Sequence, residues 1–269
     1  MGLLDFLFGN KNNNHHQQQQ GQSAQPIQST QSTNTGSSLN MSKEQAVSKL
    51  NMRKETMSKL CMTKKELGTV RARVAVAFDY SGSMEKWYKR GVVQDIMEKL
   101  LPIGLKFDDN GELDMWLFDD HFKRLPSVTE DNFYEYINRE VIIKGYDMGG
   151  TNYAPVMKDI YNRYAKDEPL DYPSLVLFIT DGDNYDKDQA ERMIREASKK
   201  NIFWQFVGVG NGNFDFLEML DEMEGRFVDN ANFFPIKDIH NMSDEDLYEK
   251  LLFEYPSWEK LAKGKGLIK

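Results

Sequence analysis

The stretch Val74–Trp87, VAVAFDYSGSMEKW, decides the fold. Its first five residues, Val74 to Phe78, are a continuous apolar run of the kind carried by a strand with both faces covered. The run then turns abruptly into one carboxylate and two hydroxyls at alternate positions, Asp79, Ser81 and Ser83. Leu175 to Ile179 (LVLFI) is a second such run, ending in Thr180-Asp181-Gly182, and Ile202 to Val209 is a third. Helical patterns fall between them, at Glu85 to Leu101 with Trp87, Val92, Ile96 and Leu100 as core positions, at Tyr153 to Ala165 and at Asp188 to Lys200.

Outward from these runs, Leu113 to Phe118 and His121 to Leu125 flank Asp119-Asp120 and read as an edge hairpin. Asn132 to Arg139 and Phe214 to Met223 read as short helices and Phe227 to Phe234 as a last strand. Ser243 to Leu261 reads as one helix, capped by Ser243 with Asp244, Glu245 and Asp246 in its first turn. The order β-α-β-β-α-α-β-α-β-α-β-α predicts an α/β fold, a doubly wound, mostly parallel sheet with helices on both faces and one antiparallel edge strand.

In such a sheet ligands bind beyond the carboxyl ends of the strands. The segments DYSGS, TDGDN and GYDMGGTNY all answer to that rule, which gathers Asp79, Ser81, Ser83, Thr151 and Asp181 near one rim. With Gly82 permitting a tight turn, alternate spacing lets several oxygens face one point. All these donors are hard oxygens without thiolate or imidazole, a set that selects Mg²⁺, with Mn²⁺ and Ca²⁺ as alternatives, over zinc or copper. Only two of the five are carboxylates, so the ion stays electrophilic and a position can remain open for an incoming acid. Asp183 and Asp147 stand nearby as solvated loop acids or as groups acting through a ligand.

DxSxS, a later Thr in GGT, and a strand ending in TDG resemble the metal-ion-dependent adhesion site of von Willebrand factor type A domains, over roughly residues 68 to 235. The resemblance implies direct coordination by Ser81, Ser83 and Thr151, action of Asp79 and Asp181 partly through waters, and a partner's Asp or Glu completing the shell. FDYSGSM, MWLFDD, GGTNYAP, LFITDGDN and WQFVGVG are similar, more narrowly, to the bacterial intracellular tellurite-resistance and stress-response branch of these domains. That likeness implies a non-enzymatic, metal-dependent adaptor in the cytoplasm whose partner is a stress or tellurite-resistance protein. The rival readings are a Mg²⁺-dependent phosphoryl-transfer enzyme and a surface adhesin. The first lacks a phosphate-cradling Gly-Lys-Ser/Thr loop and any His in the metal motifs, and the second lacks a signal segment.

Three other motifs fail on their own terms. Ser83-Met84-Glu85-Lys86 fits SxxK but has no downstream SDN or KTG. The stretch from Asp181 departs from a calcium-binding loop at Tyr185, Asp186 and Arg192. GVGNGN lacks the third glycine of a dinucleotide turn.

The flanks read differently. Residues 9 to 40 are Asn, Gln, Ser, Thr and Gly with almost nothing to bury, which predicts a disordered tail over residues 1–41. His15 and His16 within it are compositional rather than a metal site, and its apolar start, residues 3–8, is a frayed terminus or a small amphipathic turn that docks on a partner or makes a weak peripheral membrane contact. Residues 42–67 predict a basic amphipathic helix, with Val47, Leu50, Met57, Leu60 and Cys61 as its stripe and Lys49, Arg53, Lys54, Lys59, Lys64 and Lys65 as its basic remainder. It packs on the domain of residues 68–262 or meets an acidic partner; residues 263–269 form a basic tail. The 269 residues, 40% hydrophobic, suffice for one main core. A net charge of -8 argues against a nucleic-acid binder. Cys61 alone excludes an intramolecular disulfide, and no apolar stretch reaches the roughly 20 residues of a membrane span.

Overall fold

A computed structural model describes residues 41–269. The apolar start at residues 3–8, the polar tract and His15 and His16 lie outside the described residues. The three apolar runs are the centre of a six-stranded sheet. They are β1 (Arg73–Asp79), β4 (Ser174–Thr180) and β5 (Ile202–Val209), joined by β2 (Leu113–Phe118), β3 (Phe122–Val128) and β6 (Ala231–Ile236). The order is β3-β2-β1-β4-β5-β6, all neighbours parallel except β2 and β3.

Alternation explains why these strands are apolar at every position. Val74, Val76 and Phe78 enter the core on one face, while Ala75 and Ala77 enter the core on the other. Leu175, Leu177 and Ile179 divide from Val176 and Phe178 in the same way. The first face is covered by α3 (Val92–Phe107), α7 (Asp244–Leu251) and α8 (Tyr255–Gly264), the second by α4 (Ala154–Asn162), α5 (Lys187–Ala197) and α6 (Asp215–Asp221). Strand order reverses between β1 and β4, so their carboxyl ends open the crevice at the switch point.

Several boundaries differ from the sequence reading. The helix read over Glu85 to Leu101 is two, α2 (Glu85–Lys89) and α3, broken at Gly91. That break takes Trp87 off the helical core face and leaves it half-buried at the rim. The helix from Ser243 is also two, the second opening with Pro256 in its first turn, where the missing N–H is harmless. The last strand starts at Ala231 rather than Phe227, because Arg226 folds the preceding turn onto the carbonyls of Met223 and Asp221 at 2.8 and 2.6 Å. Asn132 Oδ1 accepts the Thr129 N–H at 2.8 Å, and its stretch turns instead of coiling, with one π-helical turn only at Asn138–Ile142.

The first helix, α1 (Lys43–Thr63), begins at a reciprocal cap: Ser42 Oγ accepts from Gln45 N, and Gln45 Oε1 accepts from Ser42 N. It packs on α3 and α7 through Ala46, Leu50, Met57, Leu60 and Cys61. Val47 is 37% exposed and not part of that face, whereas Arg53, read as part of the basic surface, is only 4% exposed. Its guanidinium lies 3.1 Å from Asp95, 3.4 Å from Glu98 and 3.5 Å from Asp244. No helix among the described residues is long and apolar enough to cross a membrane.

Candidate metal centre

The carboxyl ends of β1 and β4 meet at the switch point, and side-chain hydrogen bonds join four of the five sequence-derived residues. Asp79, the last residue of β1, is fully buried. Its Oδ1 accepts the Ser81 N–H at 2.7 Å and its Oδ2 the Thr180 hydroxyl at 2.6 Å. Ser81 Oγ and Ser83 Oγ lie 3.0 Å apart, and the Ser83 hydroxyl donates to Asp181 Oδ1 at 2.7 Å. Exposure rises along this chain from Asp79 through Ser81 and half-buried Asp181 to exposed Ser83, so the oxygens line a path from core to solvent.

Thr151 arrives by a different route, through backbone. Gly149 bridges Ser81 in parallel fashion and its carbonyl accepts the Gly82 N–H at 3.1 Å, which sets buried Thr151 beside the DxSxS turn. The Tyr185 N–H donates to the Thr151 carbonyl at 3.0 Å and ties this loop to the one after Asp181.

Two residues that the sequence reading took only as a hairpin turn hold the loop in place. Asp120 Oδ2 accepts the Gly150 N–H at 2.8 Å, and the Asp119 carbonyl accepts the Asn152 N–H at 2.9 Å. A Cβ at Gly149 or Gly150 would come within 2.7 Å of the Asp120 carboxylate, so this approach requires glycine at both. The signal was present in the pair's position at the carboxyl end of β2, next to β1. Asp186 is a second omission: it accepts the N–H groups of Tyr153 and Ala154 at 2.9 and 2.7 Å and so caps α4 from the TDGDN loop. Asp183 turns to Lys187 at 2.6 Å, and Asp147 lies on the exposed loop before Gly149.

Burial pushes the Asp79 carboxyl up to about 6, opposed by the hydrogen bonds from Ser81 and Thr180 and reinforced by Asp181. A buried carboxylate beside a second one is a standing demand for positive charge. Among the described residues no three His, Cys, Asp or Glu side chains cluster as metal ligands, so a cation here would have to be held with the help of hydroxyls. The donors fit such an ion. Octahedral Mg²⁺ with bonds of about 2.0–2.1 Å sets neighbouring oxygens about 3 Å apart, the separation between Ser81 Oγ and Ser83 Oγ. Asp79 has both oxygens engaged by protein donors and suits an outer position, and Asn184 Oδ1 in the adjoining loop is buried without a hydrogen-bond partner.

Comparison with known proteins bears on the family and the fold. A family profile described as "vWA found in TerF C terminus" matches residues 71–268. The chain is 45% identical over 213 residues to "Uncharacterized protein YcbR" of Bacillus subtilis, covering 78% of this chain and 87% of that one. Proximal thread matrix protein 1 from the mussel byssus, in its second crystal form, shares the fold with a TM-score of 0.51 at 16% identity, over 69% of this chain and 48% of that chain. This chain therefore spans about half the length of that solved protein. Manganese-loaded Plasmodium vivax TRAP protein aligns with a TM-score of 0.49 at 18% identity, over 68% of this chain and 72% of that one.

Proposed function

Because this chain belongs to the vWA-TerF-like family, whose fold commonly serves metal-dependent protein interaction, we propose that it is a non-enzymatic interaction module whose rim cation is completed by a partner's Asp or Glu. The observation that supports this most is the continuous chain of oxygens from buried Asp79 to exposed Ser83 at the switch point. Ser81, Ser83 and Thr151 would hold the ion directly, and Asp79 and Asp181 would act from outside them. Mg²⁺ is the cation proposed, on the hardness and neutrality of the hydroxyl donors. When bound, it supplies a positive centre that a carboxylate can approach.

The chain's own residues set the strength of that attraction. Neutral hydroxyls leave the ion most of its charge: the Ser83 hydroxyl donates to Asp181 at 2.7 Å and so accepts from Ser81 at 3.0 Å, which leaves it one lone pair and Ser81 Oγ both of its own. The partner proposed is an acidic segment of a stress-response or tellurite-resistance protein in the cytoplasm, where a single buried cysteine is at home.

Titration calorimetry of metal-stripped protein tests the site and pulldown with and without chelator tests the use. Asp79→Ala is expected to abolish metal binding and partner recovery together. Thr151→Ala is expected to weaken recovery more than metal affinity. Unchanged metal binding in Asp79→Ala, or recovery indifferent to chelator, would overturn the reading.

A further inference from the structure

Beside the rim lies a cavity of about 340 Å³ that the metal reading does not use. Its wall begins at Tyr80, between Asp79 and Ser81, and continues through the end of β2, the start of β3 and the loop at Gly145–Asp147. It shares Asp119 with the rim, since the carboxylate of Asp119 lies against Gly149, the residue that bridges Ser81.

The lining combines aromatic faces with acid. Tyr80 is nearly buried and its hydroxyl donates to the Tyr146 carbonyl at 3.1 Å, which fixes its ring as part of the floor. Asp119 and Asp147 stand at the edge, and among the described residues neither is paired with a lysine or arginine. The opposing groups are Lys123, whose ammonium lies 4.8 Å from the centre of the Tyr146 ring, and exposed His121, 3.9 Å from Asp119. Lys123 shows that the Tyr146 face accepts a cation, and it leaves Tyr80 and both carboxylates unoccupied by one.

We propose that this cavity is a second subsite of the same interface and takes a basic side chain, arginine or lysine, that the partner carries close to its metal-binding acid. The proposal rests on the metal reading for its biological setting, but the cavity is built of protein groups alone. An aromatic floor accepts the alkyl stem or guanidinium plane, and two carboxylates at the mouth receive the charge. The partner it selects is an acidic segment with a nearby positive charge, which separates it from a uniformly acidic one that Asp119 and Asp147 would repel.

The test follows backbone amide resonances of the full chain while N-acetyl-arginine amide is added, with N-acetyl-citrulline amide as the uncharged control of equal shape. Arginine is expected to shift Tyr80, Tyr146 and Asp147 saturably, and citrulline to do so at least about threefold more weakly. Exposed Asp147→Asn, whose spectrum reports that the fold is intact, is expected to weaken arginine by about threefold, the scale of one exposed charge pair. Equal shifts from citrulline, or an arginine titration unmoved by Asp147→Asn, would overturn the subsite. Metal calorimetry on the same sample reads the rim separately, so either reading can fail while the other stands.

Discussion

Asp181 illustrates how much a single contact decides at the rim. Its Oδ1 accepts the Ser83 hydroxyl and its Oδ2 the Trp87 indole N–H at 3.3 Å, so each carboxylate oxygen already has a protein donor that would restrain it from moving onto the proposed ion. In the proposed site, a set of neutral ligands on the ion, and with it the attraction for a partner acid, would depend on that restraint. Trp87→Phe keeps an aromatic ring and removes one donor. It is expected to tighten metal binding by about fivefold, the worth of one hydrogen bond, while weakening recovery of an acidic partner. Calorimetry and pulldown on the same variant check the opposite signs; both moving together would mean that Trp87 only packs. The role was not legible in the sequence, because helical periodicity placed Trp87 in the core and only the break at Gly91 exposes it. Asp79, Ser81 and Ser83 were legible because their alternate spacing follows directly from the end of a buried strand. Asp119 and Asp120 were missed although they stand at the carboxyl end of β2, because the Gly150 and Asn152 N–H groups that they hold lie on a loop distant in sequence.

Among the elements, α1 departs most from its reading. A count of lysines and arginines made it basic, yet its one arginine is the buried centre of its contact with α3 and α7. Burial opposes the Arg53 charge, but Asp244, Asp95 and Glu98 more than offset it and raise its pKa, while Glu98 is itself pushed up by burial. Lys99, 2.6 Å from Asp244, and His240, 3.5 Å from Asp95, border the same cluster. Removing Arg53 leaves Asp95 and Glu98, both nearly buried, without their cation. Arg53→Ala is therefore expected to destabilise the chain by about 3–5 kcal/mol, read as a lower urea midpoint, and adding Glu98→Gln is expected to recover part of the loss. A loss below about 1 kcal/mol would place the cluster with ordinary surface pairs. Strands fared better than helices because a continuous apolar run leaves few alternatives. Helices were joined across breaks that a long polar-apolar pattern tolerates, at Gly91 and before Pro256.

Across the whole molecule the doubly wound, mostly parallel sheet was legible from the order of elements along the chain, since three apolar runs separated by helices admit few parallel arrangements. The placement of the acid excess was not, because net charge says nothing of which carboxylates end up together. Asp221, the last residue of α6, is such a case: it lies near the Phe233 N–H of β6 and near Asp229, Glu222 and Arg226. Burial is the main cause that pushes its carboxyl up to about 6 from an ordinary 3.8, the Phe233 N–H opposes it, and Asp229 adds to it over Arg226. Glu254, across the same region, is raised by burial and then by Asp221 and Asp229. Below about pH 4 Asp221 is protonated in the folded and unfolded chain alike and contributes nothing. Between about pH 4 and 6 the folded chain keeps a proton that the unfolded chain has released, so stability falls as pH rises, and above about 6 the full penalty is present. Asp221→Asn retains an acceptor for Phe233 and removes the charge. It is expected to leave the melting temperature unchanged near pH 4 and to raise it by about 3 °C at pH 7, a gain of about 1 kcal/mol once solvent screening of this half-buried group is allowed for. Thermal scans of both proteins across that range check it. A lower melting temperature for Asp221→Asn at pH 7 would mean that Arg226 and the Phe233 N–H outweigh the crowding, and that the carboxylate stabilises the junction of α6 and β6 in its charged form.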